Sequence, residues 1–169
     1  MMRDISPIRA KPIITSELLA VAKQDGGWFP HYNFRARPVP HEVIDKDPFL
    51  RWLGDRHEFI AGVIKMDANE QYDWHVDTRR GVGINMLLEH DDSALLFSDE
   101  PMMLVKKIRP YKYEPNTYYL FNTQIPHCVI NYSKPRYLFS VEFNKSKDEL
   151  NYDDLWLDVT KNYRSDSNE

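Results

Sequence analysis

The sequence predicts a mainly β (α+β) protein, a double-stranded β-helix of the jelly-roll or cupin type preceded by a helical segment. One observation is a series of about eight short strand-like runs in residues 58–143, rich in β-branched and aromatic residues and separated by polar turns. The other is a change of pattern near Glu58, before which helix start and stop signals dominate. Many short strands behind a helical preface fit two antiparallel sheets packed face to face.

Two helices are predicted in the helical preface, residues 1–57. The first follows an N-cap region that starts at Thr15, and a Gly-Gly pair stops it. The second begins with Asp47 as a cap and a proline directly after it, because the restricted backbone of proline suits the first helical turn. The segment from Trp28 to Pro40 is rich in proline and aromatic residues and is interpreted as an extended loop.

The β core, residues 58–143, holds the predicted strands. Their ranges are 59–66, 72–77, 82–89, 93–98, 103–111, 117–122, 127–131 and 137–143. The C-terminal tail, residues 144–169, is charged, but one amphipathic patch in it predicts a short helix that packs back on the domain. Residues 165–169 are predicted to be disordered, and residues 1–164 to form a single domain.

The composition is that of an ordinary globular chain. Its 169 residues are enough for one domain with a real core, and 42% hydrophobic and 13% aromatic residues exclude a disordered protein. The formal net charge of −4 argues against a nucleic acid as partner. Cys128 is the only cysteine, which excludes an internal disulfide and suits a reducing compartment. Because the sequence shows no leader and no long apolar run, a cytoplasmic protein without membrane contact is expected.

The most informative motif is the H-x-D formed by His75 and Asp77 in a strand-like stretch. Alternation along a strand puts both side chains on one face. His127 follows a later apolar run and supplies a second imidazole. Two neutral imidazoles and one carboxylate are the facial triad that binds Fe(II) and leaves other positions open. Each residue alone has an ordinary explanation, since His75 could be a loop histidine, Asp77 a turn cap and His127 a core histidine.

The joint pattern favours a metal site. In a jelly roll the second and seventh strands lie side by side at one mouth of the barrel, which would bring His75 and Asp77 next to His127. Arg136 lies directly before the residues predicted for the eighth strand, at its start, and is expected to be a buried cation inside the barrel. Such a guanidinium needs a carboxylate, and on its strand only Glu142, interpreted as leaning outward, offers one. A bound dicarboxylate would satisfy it through a bidentate ion pair.

The order H-x-D, about fifty residues, His, about ten residues, Arg resembles the Fe(II)/2-oxoglutarate-dependent dioxygenases. The resemblance covers residues 61–143. Residues 119–127 are similar to that family's approach to its second histidine, an apolar strand followed by a polar turn and the ligand. Residues 127–131 and 135–140 are similar to its last two strands. Within the family, the pattern is most similar to the aspartyl/asparaginyl β-hydroxylase and prolyl hydroxylase-like branches.

The resemblance implies a specific set of roles. The iron ligands would be His75, Asp77 and His127. Arg136 would bind the distal carboxylate of 2-oxoglutarate. The family's Arg-x-Ser has a leucine in place of the serine here, and the hydroxyl is delayed to Ser140, which becomes a further co-substrate contact.

Further residues are assigned to the co-substrate or to the substrate. Asn85 and Tyr118 could meet the co-substrate, although a strand ladder or the core could equally use them. Arg79 and Arg80 follow the ligand strand and could clamp a substrate carboxylate or simply form a solvated turn. The aromatic residues interpreted as lining the substrate entrance, with core packing as the alternative, are Trp28, Tyr72 and Trp74.

The activity implied by the resemblance is that of a hydroxylase. With Fe(II), 2-oxoglutarate and O2, such an enzyme oxidises an unactivated C–H bond of a small-molecule, peptide or protein side-chain substrate and releases succinate and CO2. Two other classes stay open. One is a non-catalytic cupin-like protein that binds a small ligand or a metal, and the other is a cupin-type hydrolase or isomerase, for which H-x-D rather than H-x-H is unfavourable. The pattern leaves the oligomeric state open.

Overall fold

Strands dominate the computed structural model, which describes residues 4–90 and 92–164. The strands in chain order are β1 (Ile5–Pro7), β2 (Phe29–His31), β3 (Phe34–Pro38), β4 (Phe59–Met66), β5 (Gln71–His75), β6 (Val82–Leu87), β7 (Ala94–Phe97), β8 (Arg109–Tyr111), β9 (Tyr119–Asn122), β10 (His127–Ile130) and β11 (Arg136–Phe143). The helices are α1 (Thr15–Ala22), α2 (His41–Ile44), α3 (Pro48–Gly54) and α4 (Tyr152–Asn162). None of the helices in the described residues combines the length and the apolar character that a membrane crossing needs.

The strands form two antiparallel sheets that face each other. The large sheet has the order β1-β9-β6-β11-β4-β3-β2, and the small sheet has the order β5-β10-β7-β8. The strands from β4 to β11 correspond to the predicted eight and pass back and forth between the sheets, as in a jelly roll. The predicted fold class is confirmed: the β core is a double-stranded β-helix.

Helices cover the outer face of the large sheet. Side chains alternate along β6, β9 and β11, so every second residue points into this helical layer. Its main apolar contributors are Leu18, Leu50 and Leu155 from the helices and Ile84, Met86, Leu120, Phe139 and Val141 from the sheet. Because α4 packs here as well, the amphipathic patch of the tail does fold back on the domain as predicted. The disorder predicted for residues 165–169 concerns residues outside the described part of the chain.

The inner faces of the two sheets enclose the barrel interior. Its apolar part is built mainly from Met66, Leu87, Leu95, Phe97, Phe121 and Leu138. On β11, strand alternation places Arg136, Ser140 and Glu142 on the same face as Leu138. Glu142 therefore faces the interior, which corrects the expectation that it leans outward. The polar residues of the predicted site lie in this interior and at its mouth.

Strands β2 and β3 form a hairpin where an extended loop is predicted. Phe29 pairs with Ala36 and His31 pairs with Phe34, and β3 also pairs with β4, so the hairpin continues the large sheet. Pro30 is tolerated because β2 is the edge strand, where one backbone donor is not needed. The preface is therefore not purely helical, since β1 also joins the large sheet by pairing with β9.

The predicted strand 103–111 is much shorter in the structure. Only Arg109–Tyr111 pairs with β7, as β8, whereas Met102–Leu104 forms a 3-10 turn. The carboxylate of Glu100 accepts the backbone N–H of Lys107 at 2.9 Å, so a local loop takes up a donor that a strand would use for pairing.

Asp47 is a fully buried carboxylate at the start of α3. Its Oδ1 accepts the backbone N–H groups of Phe49 (3.0 Å) and Leu50 (3.2 Å), which confirms the predicted helix cap. Its Oδ2 accepts the backbone N–H of Ile13 (3.2 Å) and the hydroxyl of Tyr118 (3.0 Å). This one side chain therefore connects α3, the segment before α1 and the strand segment that enters β9.

We expect Asp47→Ala to lower the free energy of unfolding by about 3 kcal/mol, because it removes a helix cap and leaves several buried donors without an acceptor. Tyr118→Phe removes only one of these hydrogen bonds and should cost about 1 kcal/mol. Urea unfolding followed by circular dichroism measures both, with the exposed Asp45→Ala as a control. A smaller loss for Asp47→Ala than for Tyr118→Phe would contradict the role given to this carboxylate.

Asp158 attaches α4 to the segment before β4. It accepts a hydrogen bond from Nη2 of Arg56 (2.9 Å) and lies 2.7 Å from Nε2 of His57. The bond from Arg56 is the main reason that the pKa of Asp158 lies well below its usual range. A carboxyl group of this kind stabilises the fold above its unfolded pKa of about 4, and the contribution fades as the pH falls toward the folded-state pKa.

We therefore expect Asp158→Asn to lower the free energy of unfolding by about 1 kcal/mol at pH 7, the upper end for a partly exposed ion pair. The difference from the wild type should shrink progressively below about pH 4, because the unfolded wild-type chain then takes up the proton. Urea unfolding at pH 7 and at pH 3 measures the two differences. An equal or larger difference at the acid pH would show that this ion pair does not control the acid stability.

Candidate metal centre

His75 and His127 lie opposite each other on neighbouring strands of the small sheet. His75 ends β5 and His127 begins β10, and these register partners have ring centroids 4.1 Å apart. Further along the two strands Tyr72 pairs with Val129, so β5 contains one extra residue, a β-bulge, beside the histidines. The predicted adjacency of the second and seventh core strands is confirmed.

Backbone carbonyl groups orient both imidazoles. Nδ1 of His75 lies 2.7 Å from the carbonyl oxygen of Asp73, and Nδ1 of His127 lies 2.8 Å from that of Ile125. Because a carbonyl oxygen only accepts, each Nδ1 carries a proton and each Nε2 is left to face a metal. Burial, and secondly the nearby His75, lower the pKa of His127 to about 4, so the His127 ring is neutral at pH 7.

Asp77 lies just beyond the end of β5, in the loop to β6, where the sequence predicts a continuing strand. Its backbone N–H donates to the carbonyl of Thr123 (3.1 Å), so the loop follows the connection between β9 and β10. Its Oδ1 lies 3.6 Å from Nε2 of His75, and its Oδ2 accepts a hydrogen bond from Nε of Arg80. The loop contact, rather than strand alternation, therefore brings Asp77 to the histidines.

The three predicted ligands converge on one point. One ligand atom from each of His75, Asp77 and His127 lies within 4.8 Å of the others. Two imidazole nitrogens and one carboxylate oxygen suit Fe(II) and leave further coordination positions for other molecules. The donor set and the orientation of both rings thus fit a facial-triad metal.

Two residues that the sequence does not mark connect the Asp77 loop to the second histidine strand. Nε2 of Gln124 donates to the carbonyls of Asp77 and Arg80, both at 2.8 Å. Oγ1 of the buried Thr123 donates to the Arg80 carbonyl at 2.6 Å. The proximity of Gln124 to His127 along the chain is the only local signal, and it does not reveal contacts to a loop more than forty residues away.

We expect Gln124→Ala to weaken the binding of a divalent metal by about tenfold, because groups that orient metal ligands contribute on this scale. Mn(II) affinity, followed through the electron paramagnetic resonance signal of the free ion, provides the measurement. The exposed Gln24→Ala is the matched control. An unchanged Mn(II) affinity in the Gln124 variant would contradict the positioning role.

Arg136 is buried inside the barrel at the start of β11, with 4% of its surface exposed. Its Nε donates to Oγ of Ser93 (3.1 Å), and its guanidinium carbon lies 5.8 Å from the ring centroid of Tyr113. The prediction of a buried cation on the last core strand is confirmed. Its contacts with a hydroxyl group and an aromatic ring, which the sequence does not predict, hold the guanidinium in the interior.

Asn85 and Ser140 are register partners on β6 and β11. Nδ2 of Asn85 donates to the hydroxyl of Tyr113 at 3.2 Å. Burial raises the pKa of Tyr113 to about 12, so this hydroxyl stays protonated and is able to donate a hydrogen bond in turn. Tyr113 is thus a polar interior residue that the sequence does not reveal, because its surroundings along the chain only indicate a turn.

Tyr118 does not belong to the barrel interior. Its side chain is fully buried in the helical layer, on the other face of the large sheet, where its hydroxyl donates to Asp47. Burial, and secondly the charge of Asp47, raise the pKa of Tyr118 far above its usual range. The prediction that Tyr118 contacts the co-substrate is wrong, because a shift of one residue changes the face, and Tyr119 takes the interior position.

A cavity of about 640 Å³ opens beside the candidate metal ligands. The predicted site residues in its wall are Tyr72, His75, Asp77, Arg79, Arg80 and Ser140. Trp28 and Trp74 do not line this cavity, so their predicted contacts with a substrate find no support in the structure, and Trp28 instead packs against the helical layer. Tyr72 packs on His75 with ring centroids 3.9 Å apart and thereby joins the metal centre to the cavity wall. Hairpin β2–β3 and strand β4 supply most of the remaining wall.

No protein-family model and no curated protein sequence matches this chain. Solved structures do match. A prolyl-4-hydroxylase from Pseudomonas putida has a TM-score of 0.63 and 14% identity, over 85% of this chain and 94% of the other. A prolyl hydroxylase from Trichoplax adhaerens, in complex with a hypoxia inducible factor peptide fragment, has a TM-score of 0.60 and 13% identity, over 83% of each chain. A 2OG-Fe(II) oxygenase family oxidoreductase from Burkholderia pseudomallei has a TM-score of 0.57 and 13% identity, over 82% of this chain and 80% of the other.

The fold of this chain is the double-stranded β-helix of the 2-oxoglutarate–Fe(II) oxygenases, and prolyl hydroxylases are among its structural relatives. The predicted similarity to the prolyl hydroxylase-like branch is therefore confirmed for the fold. The predicted similarity to aspartyl/asparaginyl β-hydroxylases stays a prediction.

Proposed function

We propose that this protein is a non-haem Fe(II)- and 2-oxoglutarate-dependent oxygenase that hydroxylates an unactivated C–H bond. The observation that carries the proposal is the convergence of His75, Asp77 and His127 within 4.8 Å at one mouth of a double-stranded β-helix. Two histidines and one carboxylate with open positions suit non-haem Fe(II). The fold supports the same class.

The polar residues of the interior support 2-oxoglutarate as the co-substrate. A dicarboxylate needs a cation at the end that does not reach the metal, and Arg136 is a buried guanidinium on the interior face of β11. Asn85, Tyr113 and Ser140 add neutral hydrogen-bonding groups on the same side of the large sheet. We therefore assign Arg136 as the residue that binds the distal carboxylate of 2-oxoglutarate. The neutral groups would form hydrogen bonds around the same molecule.

When bound, Fe(II) and 2-oxoglutarate supply the oxidising chemistry, in which O2, 2-oxoglutarate and R–H yield R–OH, succinate and CO2. The chain itself has simpler tasks. Its three ligands hold the metal on one side, and Arg136 orients the co-substrate. Leu87 and Leu138, both buried in the interior, exclude water from the barrel. No side chain has to act as a general acid or base in this scheme.

The substrate class that we propose is an amino acid, a peptide or a protein side chain. Two of the three similar structures described above are prolyl hydroxylases, and one of them holds a peptide fragment. The cavity beside the metal centre has a suitable size for such a group. The net charge of −4 argues against nucleic acid. The cytoplasmic location and the single domain of residues 1–164 stay predictions from the sequence.

Anaerobic titration of the Fe(II)-loaded protein with 2-oxoglutarate tests the proposal. Chelation of the metal by the 2-oxo acid should produce a weak visible charge-transfer band. Admission of air should then produce succinate, even in the absence of a substrate. A protein that binds iron but gives neither the band nor succinate would instead be a cupin-like metal-binding protein.

A further inference from the structure

Glu142 is a charged residue in the cavity wall to which the proposed function gives no task. It lies two residues after Ser140 on the interior face of β11, and both residues line the cavity beside the metal centre. The side chain is half-buried, and its carboxylate makes no ion pair or hydrogen bond with the described residues. Partial burial of an unpaired carboxylate is unfavourable unless another molecule supplies a cation.

Most other charged groups of this wall are already paired. Asp77 and Arg80 form an ion pair with each other, and the guanidinium of Arg37 donates to carbonyl groups at the end of α1. Arg79 is different, because it is exposed at the cavity and makes no ion pair with a described residue. The cavity thus presents the Glu142 carboxylate and the Arg79 guanidinium, neither of which forms an ion pair within residues 4–90 and 92–164.

An aromatic wall completes the cavity. Its rings are Phe29, His31, Tyr32, Phe34 and Tyr72. The rings support one another edge to face, with centroids 4.8 Å apart for His31–Tyr32 and 5.2 Å apart for Phe34–Tyr72. Tyr32 is 73% exposed at the tip of the β2–β3 hairpin, where the two-residue turn accounts for its positive φ of 53°. Its ring extends the aromatic wall as exposed apolar surface at the cavity.

We infer that the substrate of this site is a zwitterionic α-amino acid with an apolar side chain. The inference rests on the proposed function and narrows it to one substrate class. The ammonium group pairs with Glu142, the carboxylate pairs with Arg79, and the apolar side chain lies against the aromatic wall.

The charges of the cavity favour a free amino acid over an internal peptide residue. An internal residue carries neither the ammonium nor the carboxylate, so both Glu142 and Arg79 would lose solvent without gaining a partner. The volume of about 640 Å³ lies within the range of small-molecule sites. Aromatic faces also attract an ammonium group, which further favours a substrate with a free ammonium group over an internal peptide residue.

Equilibrium binding tests the inference without relying on turnover. Protein loaded with Mn(II) and 2-oxoglutarate is titrated, by calorimetry, with each of the standard L-amino acids that have an apolar side chain. The tightest binder is then offered as its N-acetyl derivative and as its carboxamide. We expect each derivative to bind at least about tenfold more weakly, because each lacks one of the two charges.

Two charge-removing variants assign the contacts. Glu142→Gln should weaken the binding of the free amino acid by about tenfold and leave the affinity for the N-acetyl derivative unchanged. Arg79→Gln should weaken the binding of the free amino acid to a similar extent and leave the affinity for the carboxamide unchanged. Glu42→Gln and Arg9→Gln, both exposed and outside the cavity wall, are the matched controls.

The failure of the inference and the failure of the proposed function give different results. If the derivatives bind as tightly as the free amino acid, or if no apolar amino acid binds, the inference is overturned. The binding of Mn(II) and 2-oxoglutarate in the same samples would then leave the proposed function intact. A protein that binds neither of them would overturn the proposed function, and the inference with it.

Discussion

Replacement of His75 or Asp77 with alanine is expected to abolish tight binding of Fe(II), Mn(II) or Ni(II). Each variant leaves only two of the three converging ligands, and two ligands do not hold a divalent ion firmly. Even groups that merely orient a ligand contribute about 10- to 100-fold to metal affinity, so the loss should exceed about 100-fold. The binding of Mn(II), followed through the electron paramagnetic resonance signal of the free ion, measures the affinity without any turnover.

The controls for this experiment are His41→Ala and Asp25→Ala. Both residues are exposed and lie outside the converging group, so both variants should bind Mn(II) like the wild type. Circular dichroism confirms that each variant is folded. A folded Asp77→Ala protein that retains tight binding would exclude Asp77 as a ligand and would leave its ion pair with Arg80 as its role.

Arg136→Ala is expected to raise the concentration of 2-oxoglutarate needed for half-saturation by about 30-fold or more. Truncation of one partner of a buried, hydrogen-bonded charge pair costs about 2–5 kcal/mol, and each 1.4 kcal/mol is about tenfold in affinity. Metal affinity should change little, because Arg136 is not one of the three ligands. Anaerobic titration of the Fe(II)-loaded variant, followed through the visible band, measures the co-substrate affinity.

Two further variants make this result specific. Arg136→Lys keeps the charge but loses the planar fork of donors, so an intermediate affinity is expected. Arg51→Ala removes an exposed arginine outside the barrel and should have no effect. If the Arg136→Ala protein binds metal normally and also binds 2-oxoglutarate like the wild type, the assignment of Arg136 to the co-substrate is wrong.

Local sequence pattern was sufficient for most of the core strands and for the start of α3. The side-chain cap predicted in the region from Thr15 is wrong, because α1 begins at Thr15 after Ile14, which makes no side-chain cap hydrogen bond. The bounds predicted for the first core strand, 59–66, are those of β4, and the cap predicted at Asp47 is observed. These features depend on apolar alternation, turn residues and capping side chains within a few positions of one another. The spacing of His75, Asp77, His127 and Arg136 likewise predicted that these residues belong to one site. Strand order in a jelly roll determines which strands become neighbours.

Contacts between residues far apart in the chain decided the features of the fold and the site that local sequence pattern did not predict. Tyr118 reaches Asp47, 71 positions away, and this contact places it outside the barrel interior. Asp77 reaches the histidines through a loop that Gln124 holds from 47 positions away. The hairpin that carries Tyr32 becomes a cavity wall only because β3 pairs with β4.

The sequence by itself therefore determined the fold class, most of the core strands, the three candidate metal ligands and the buried cation. Only the tertiary structure decided how Asp77 arrives at the site, which tyrosine faces the interior and that Glu142 shares a cavity with Arg79. The physical reason is that periodicity reports which residues along one strand share a face. The face that becomes the interior, and the loops that meet there, depend on packing between distant segments.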